Sequence, residues 1–548
     1  MESIPKKSVP PETIEQSQEK VPDLPGAFSF FWLKLWRGNP PGLGLLTVAI
    51  VTALTMLVPI LYVVIRGIQG GADRWLRLLD TRIPILLQNT LSLTFVVTFF
   101  ALFIGVTLAF LVIRTDLPGR KAWQWLLALP LLIPPYVGAI TYIIIFGPTG
   151  WIRDWLGSPL FNIYSFWGVA FVLILFTYPY VYLITSAALK RSNLNYEEAA
   201  RIAGLHYGQV FWKVTLPLLR PAMGAGAILV ALYVLSDFGA VAALRYTTFT
   251  AAIYFQMGNY DQVAAAILSV LLIAITLVFI WGEAKTREKQ RFYQSKGTPR
   301  QAPVSELGHY KLPLLFYVIA IFTLAVVLPL AVLFYWSSVG ITRGAIDSRF
   351  WGFAWNSVFM AGSASVLCMI LALPVVYLKS RNPSIVSTFV DKLAYAGYAL
   401  PGVIVALGII FVFNQYIPFL YGTAALVIVA YVIRFLPQNM QAAEAALTAV
   451  SPRLDEAGRM AGYSPWQVMM RVTLPLITPG LLAGSALVFV SAIKELPATL
   501  LLRPPGMDTL AVRIWIDASE GFYQTAAPAA LLLVLLSIIP LRWMLKKY

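Results

Sequence analysis

Charge is scarce in this 548-residue chain: 12% of the residues are Asp, Glu, Lys or Arg, against 59% hydrophobic. Cysteine and histidine are scarcer still. Cys368 stands alone, which excludes an intrachain disulfide, and its place inside a long apolar run suits a small core residue. His206 and His309 lie far apart in sequence, so no His-rich metal site is visible, and His206 reads as an ordinary surface residue. No Gly-Lys dipeptide occurs, so there is no P-loop in which backbone amides and a lysine cradle phosphates. HExxH, a cysteine pair and GxSxG are missing too, which leaves an integral-membrane enzyme without an activated nucleophile or bound metal.

Long apolar runs are what the chain has in abundance, and with a mean hydropathy of +0.75 they make the bilayer its main solvent. The fold class expected is an all-α polytopic membrane protein. A spanning helix needs about 20 mostly apolar residues, and the runs predict twelve, at roughly 42–65, 88–113, 124–146, 163–189, 220–244, 262–281, 312–335, 356–378, 391–414, 420–446, 479–502 and 524–545. The first run is too long for a signal-peptide core and lacks a small-residue cleavage site, so it reads as a retained helix. Residues 1–41 are polar and proline-rich at their start and are expected to form a partly disordered cytoplasmic tail.

The formal charge of +16 has a membrane explanation. Placing both termini in the cytoplasm puts most Lys and Arg on the inner side, the usual positive-inside bias. The densest cluster, "KTREKQRFYQSKGTPR" from Lys285 to Arg300, falls in a linker, 284–311, that is expected to face anionic lipid rather than nucleic acid. Trp123, Trp125, Trp151 and Trp155 near span ends need only a role as interfacial anchors.

The chain is also a tandem repeat. "EEAARIAGLHYGQVFWKVTLPLLRP", Glu197 to Pro221, aligns without a gap on "DEAGRMAGYSPWQVMMRVTLPLITP", Asp455 to Pro479, at a shift of 258 residues. Pro179 and Pro437 share that shift, while Pro134 and Pro401, further upstream, are 267 apart. Two six-span units follow, 42–283 with a charged loop at 190–218 and 312–548 with a charged loop at 448–478. Six is even, so both units have one orientation, both loops face the cytoplasm, and a pathway is expected between the halves.

In each loop a short helix with a slim apolar face ends at a glycine suited to the left-handed conformation, Gly204 or Gly462. A second short helix follows, carrying Val210, Phe211 and Val214 or Val468, Met469 and Val472, before Pro217 and Pro221, or Pro475 and Pro479, mark re-entry into the membrane. Glu198 and Glu456 stand near the start of the first helix, where its dipole favours an acid. For one copy, an amphipathic loop lying on the membrane would suffice. Two copies at matched topology suggest docking onto a two-fold symmetric partner.

"EAARIAGLHYGQVFWKVTLP" and "EAGRMAGYSPWQVMMRVTLP" resemble the EAA loop of permease subunits in binding-protein-dependent ABC importers. The motif runs Glu-Ala-Ala, three residues, Gly, nine residues, Ile, any residue, Leu-Pro. It falls on Glu198, Ala199, Ala200, Gly204, Leu216 and Pro217, and again on Glu456, Ala457, Gly462, Leu474 and Pro475. Val214 and Val472 replace Ile, and Gly458 replaces the second Ala of the later copy, a departure expected to loosen that dock slightly. The duplicated plan and "KELPATLLLRPPGMDTLAVRIW", from Lys494 to Trp515, are most similar to fused ferric-iron permeases, with thiamine and phosphonate permeases as near relatives.

The resemblance implies a permease in a bacterial inner membrane that catalyses no covalent chemistry and binds no cofactor itself. Two copies of a separate ATPase would hold ATP and Mg and dock on the loops. An external binding protein would deliver the substrate. Four ionisable residues fall clearly inside the runs: Asp237, Arg434, Lys494 and Glu495. Such groups are expensive in lipid and usually face a cavity or a partner. Asp237 and Glu495 are 258 apart, hence equivalent, and opposed carboxylates would suit transient coordination of a hard cation such as ferric iron.

The alternative is structural: Glu495 paired with Arg434 or Lys494, and Asp237 capping a break before Gly239. Pro134, Pro135 and Pro401 with Gly402 either support gating or merely shape packing. A secondary transporter would need a proton or sodium relay at mid-membrane, and these four charges with no Asp/His chain supply none.

Overall fold

The computed structural model describes residues 36, 41–158, 160–191, 195–288 and 305–547. The expected N-terminal tail, apart from Trp36 and Pro41, and most of the basic linker lie outside the described residues. Helix dominates the rest. No strand occurs among the described residues, only an isolated bridge between Thr115 and Ser305.

Eight principal helices of the first half are matched by eight of the second. The first set is α1 (Leu43–Gln69), α2 (Ile83–Arg114), α3 (Pro135–Phe146), α4 (Phe166–Arg191), α5 (Asn195–Ile202), α6 (Leu216–Ser236), α7 (Gly239–Ala243) and α8 (Gln262–Glu288). The second is α9 (Leu328–Thr342), α10 (Ser348–Arg381), α11 (Gly402–Tyr416), α12 (Ala424–Thr448), α13 (Pro452–Met460), α14 (Leu474–Ile493), α15 (Pro497–Leu502) and α16 (Tyr523–Lys547).

Among the described residues, ten helices are long and apolar enough to cross a membrane. The pair Ile385–Tyr398 and Gly402–Tyr416, bent by 109°, raises the number to eleven if it is counted as one span. The apolar runs predict twelve. The remaining helix is α12, whose 25 residues are long enough but include Arg434, Gln438 and Asn439. Those groups are tolerated because they turn inward: Asn439 is buried, and Arg434 and Gln438 line an internal cavity.

Four of the predicted runs are broken, in matched pairs. Pro134 and Pro401 are extended, with ψ of 138° and 145°, so α3 and α11 start afresh after them. A proline lacks the N–H that would continue a helix and pushes its predecessor out of the helical region. The fifth and eleventh runs break at Asp237–Phe238 and at Lys494–Leu496.

In each half the second, fourth and fifth spans pack on one another, α2 with α4 and α6, α10 with α12 and α14. Glycine permits the approach. A Cβ on Gly226 would stand 3.0 Å from Val181 Cα, and one on the equivalent Gly484 would stand 2.8 Å from Ala442 Cβ. Small residues at such crossings let backbones close up, which drives helix association where lipid is as apolar as leucine.

The first span of each unit crosses to the other unit. α1 packs on α8 of its own half but also on α10 and α11, with Tyr62 stacked on Phe411 at 5.3 Å between ring centres. The seventh span, residues 308–342, packs on α16 and reaches back to the first half. Tyr317 OH bonds Thr107 Oγ1 at 2.9 Å, and Tyr142 OH donates to the Leu324 carbonyl. Its approach is fixed at its N-terminal end, where Lys311 Nζ meets Asp116 Oδ2 at 2.7 Å and the Leu307 amide donates to Asp116 Oδ1. The hydrogen bond from Lys311 and that amide hold the Asp116 carboxyl below its ordinary range.

Candidate functional site: a polar cavity and two exposed knobs

The four helix breaks converge on one cavity of about 230 Å³ between the halves. Breaks put polar backbone and side chains where continuous apolar helices would have none, which membrane-depth protein tolerates only around such a cavity. Asp237, Arg434, Lys494 and Glu495 all line it, so the tertiary structure brings together every internal charge picked out from the sequence.

Their partners match the structural alternative. Asp237 Oδ2 accepts from the amides of Ala240 at 3.0 Å and Val241 at 3.2 Å, capping α7. Glu495 Oε1 accepts from Arg434 Nη1 at 2.5 Å and from the Ala498 amide at 3.3 Å, so it both pairs with the guanidinium and caps α15. Lys494 bonds neither acid. Its ammonium donates to the Leu131 carbonyl of the first half at 2.8 Å. Two acids and two bases leave the cavity formally neutral. Among the described residues no group of three or more His, Cys, Asp or Glu is placed to hold a metal ion.

The cavity is symmetric in backbone and asymmetric in chemistry. Tyr180 and Tyr233 of the first half, with ring centres 5.8 Å apart, correspond to Gln438 and Ser491, where the serine hydroxyl bonds the amide oxygen at 3.0 Å. Arg434 and Lys494 have Phe176 and Ser236 as counterparts. Tyr136 also lines the wall, its hydroxyl buried without a hydrogen-bond partner among the described residues. Sequence reasoning missed these tyrosines because an aromatic in an apolar run carries no signal of its own.

The two charged loops fold alike. Gly204 and Gly462 both adopt φ 86°, and the amides of Leu205 and Tyr463 reach back to the carbonyls of Ala200 and Gly458, closing α5 and α13 in the same way. Gln209 and Gln467 side chains then accept from the amides of His206 and Ser464, starting the next helix. That next helix is not a separate element. It passes through a wide turn, Phe211–Thr215 or Met469–Thr473, straight into the fifth span, giving rods of 29 and 28 residues, Gly208–Ser236 and Trp466–Ile493.

Each wide turn ends two residues before Pro217 or Pro475. Widening removes the clash between the ring and the preceding carbonyl that a tight turn would force. Pro221 and Pro479 lie inside the rods. Gly458 is buried, and a Cβ there would meet Val468 Cγ2 at 3.0 Å, so the departure from Ala lets the later knob pack closely.

The knobs are proud of the protein. Ile202 and its equivalent Met460 are each 89% exposed, with Tyr196, Leu454 and Trp466 also outward. Glu198 is half-buried and Glu456 exposed, while Ala199 and Ala457 face outward. The acids just before them, Glu197 and Asp455, turn inward onto Arg114 and Arg381. The 258-residue match of those two acids was the signal that could have found them.

Comparison with known proteins accounts for the doubling. The family described as binding-protein-dependent transport system inner membrane component matches residues 86–284 and again 370–546. The chain is 35% identical over 515 residues to the Fe(3+)-transport system permease protein FbpB 2 of Haemophilus influenzae, covering 93% of this chain and 99% of that one. It is 24% identical over 550 residues to the ferric transport system permease protein FbpB of Actinobacillus pleuropneumoniae, covering 93% and 79%. The sulfate transport system permease protein CysT of Escherichia coli matches over 249 residues at 28%, covering 44% of this chain and 89% of that one. This chain therefore belongs to the binding-protein-dependent transport system inner membrane component family, with the family's module present twice in one polypeptide.

Proposed function

We propose that this chain is the translocation pathway for ferric iron in an ATP-driven importer of a bacterial inner membrane. Membership of the family makes it a transport permease, and permeases of this kind work with a substrate-binding protein and ATPase partners. The observation that supports iron is the match along nearly the whole length to relatives named as Fe(3+) permeases. An external binding protein delivers the ion, and two ATPase subunits hydrolyse ATP with Mg and push on the knobs. Glu198, Ala199, Ala200, Gly204, Leu216 and Pro217, with Glu456, Ala457, Gly462, Leu474 and Pro475, form the two docks.

Asp237 and Glu495 meet the ion in transit. Both carboxylates already have partners, the amides of α7 and α15 and the Arg434 guanidinium. A trivalent cation competes with Arg434 for Glu495, and the formal neutrality of the cavity keeps binding weak. Weak binding suits a pathway, since an ion held tightly at mid-membrane would not leave.

The test is ATP-dependent uptake of labelled ferric iron into proteoliposomes that hold this chain, its ATPase and its binding protein, with labelled thiamine and sulfate in parallel. Iron accumulation that requires all three components is the expected result. Uptake of thiamine or sulfate without iron would overturn the substrate and return Asp237 and Glu495 to purely structural roles.

A further inference from the structure

Each knob is fastened to the spans beneath it by three polar side chains. In the first half, Arg114 at the end of α2 places Nη2 3.4 Å from Glu197 Oε1, and Thr215 Oγ1 donates to that same oxygen at 2.9 Å. In the second, Arg381 at the end of α10 places Nε 2.6 Å from Asp455 Oδ2, and Thr473 Oγ1 donates to Oδ1 at 2.6 Å. The acids are 258 residues apart, the threonines 258 and the arginines 267, the offsets that the surrounding helices obey. Arg114 is 4% exposed, and Arg381 and Asp455 are 7% and 6%.

Stability alone does not call for such a cluster. Burying an ion pair is often no better than burying well-packed apolar groups of the same volume. The two differ in direction. Apolar contact is non-directional and lets one surface slide over another, whereas the hydrogen bonds that Thr215 and Thr473 donate to the paired carboxylates fix both distance and angle. The wide turns fit this arrangement. Thr215 and Thr473 each close one, at the point where the knob passes into the fifth span.

We propose that Arg114–Glu197–Thr215 and Arg381–Asp455–Thr473 are positioning pins that make each knob and the cytoplasmic ends of two spans one rigid lever. This role rests on the reading of the knobs as ATPase docks. The far end of each lever is the cavity. The rod that starts in the first knob ends at Ser236, beside Asp237, and the second ends at Ile493, beside Lys494 and Glu495. At a rise of 1.5 Å per residue each rod carries displacement over roughly 40 Å. The second pin is the tighter one. Arg381 also donates to the Val450 carbonyl at 3.0 Å, and Asp455 is more enclosed than Glu197.

Thr215→Val with Thr473→Val tests the pins while leaving both ion pairs in place, so folding is spared. The variant is assembled with its ATPase in proteoliposomes. Three quantities are read: affinity for the ATPase, iron taken up per ATP hydrolysed, and the distance distribution between spin labels at Ile202→Cys and Met460→Cys in a Cys368→Ala background. The expected result is unchanged ATPase affinity, uptake per ATP lower by roughly fivefold or more, the lower end of coupling between linked sites, and a broader distribution when ATP and vanadate trap the complex. Thr215→Ser with Thr473→Ser, which keep the hydroxyls, give the wild-type value of both readouts.

A valine variant with the wild-type ratio and the wild-type distribution overturns the pins. The spin-label readout needs no substrate, so it decides the question even if the chain transports something other than iron. An ATPase that binds the wild-type chain but not through the knobs overturns the docking reading and the pins with it.

Discussion

Gly402 shows how one missing methyl organises the cavity. A Cβ at this position, at the start of α11, would collide with both Arg434 Nη1 and Glu495 Oε1, so glycine lets the backbone pass beside that ion pair without displacing either side chain. Gly402→Ala is expected to separate the pair or displace α11 and to cost about 1–3 kcal/mol, the usual range for overpacking. Thermal unfolding of the detergent-solubilised protein measures it, as a lower Tm than wild type. Asp237 allows charge to be separated from capping. Asparagine caps a helix about as well as aspartate, so Asp237→Asn should keep the protein's stability while reducing iron uptake. Asp237→Ala should lose about 1 kcal/mol as well. Equal uptake by wild type and Asp237→Asn would remove the carboxylate charge from the pathway.

At the scale of the element, the crossing of α2 and α4 depends on Gly105, where a Cβ would lie 2.7 Å from Val181 Cβ and 2.9 Å from the Tyr182 amide nitrogen. Backbone cannot yield as a flexible side chain can. Gly105→Leu should therefore push α2 off α4 and reduce the yield of folded protein, and size-exclusion chromatography with a thermal melt measures the loss. The wide turns belong to this scale too. Three of them occur among the described residues, and each ends two positions before a proline, at Pro217, Pro329 and Pro475. Apolar periodicity does not distinguish such a turn from the helix around it, so the rods read from sequence as a short helix followed by a separate span.

For the whole molecule, the proposed docking on two matched knobs in one polypeptide predicts a stoichiometry. Native mass spectrometry of the purified complex should give two ATPase subunits per copy of this chain. Glu198→Ala or Glu456→Ala alone should weaken ATPase coupling and the double variant should weaken it further, with the chain still inserted in the membrane. Wild-type uptake by all three would sink the docking role. The crossing of α1 and the seventh span between halves carries a further consequence. Neither half buries its own surfaces fully when separated, so the repeat boundary in sequence is not a boundary in packing.

What is local or repeated along the chain was legible from the residues alone: the apolar runs, the two units, the matched knobs with Gly204 and Gly462, and the four internal charges. These are one-dimensional properties, since burial in lipid demands a run of apolar residues and a duplicated unit leaves the same residues at a constant offset. Which groups share a space came from the packing of the helices. It set Lys494 against Leu131 of the other half rather than against Glu495, broke four runs around one cavity, drew both of that cavity's cations from the second half, and turned Glu197 and Asp455 onto arginines while Glu198 stayed half-buried and Glu456 exposed. Contacts between residues hundreds of positions apart depend on how helices cross, and helix crossings are set by the shapes of packed side chains, which hydropathy and spacing do not record.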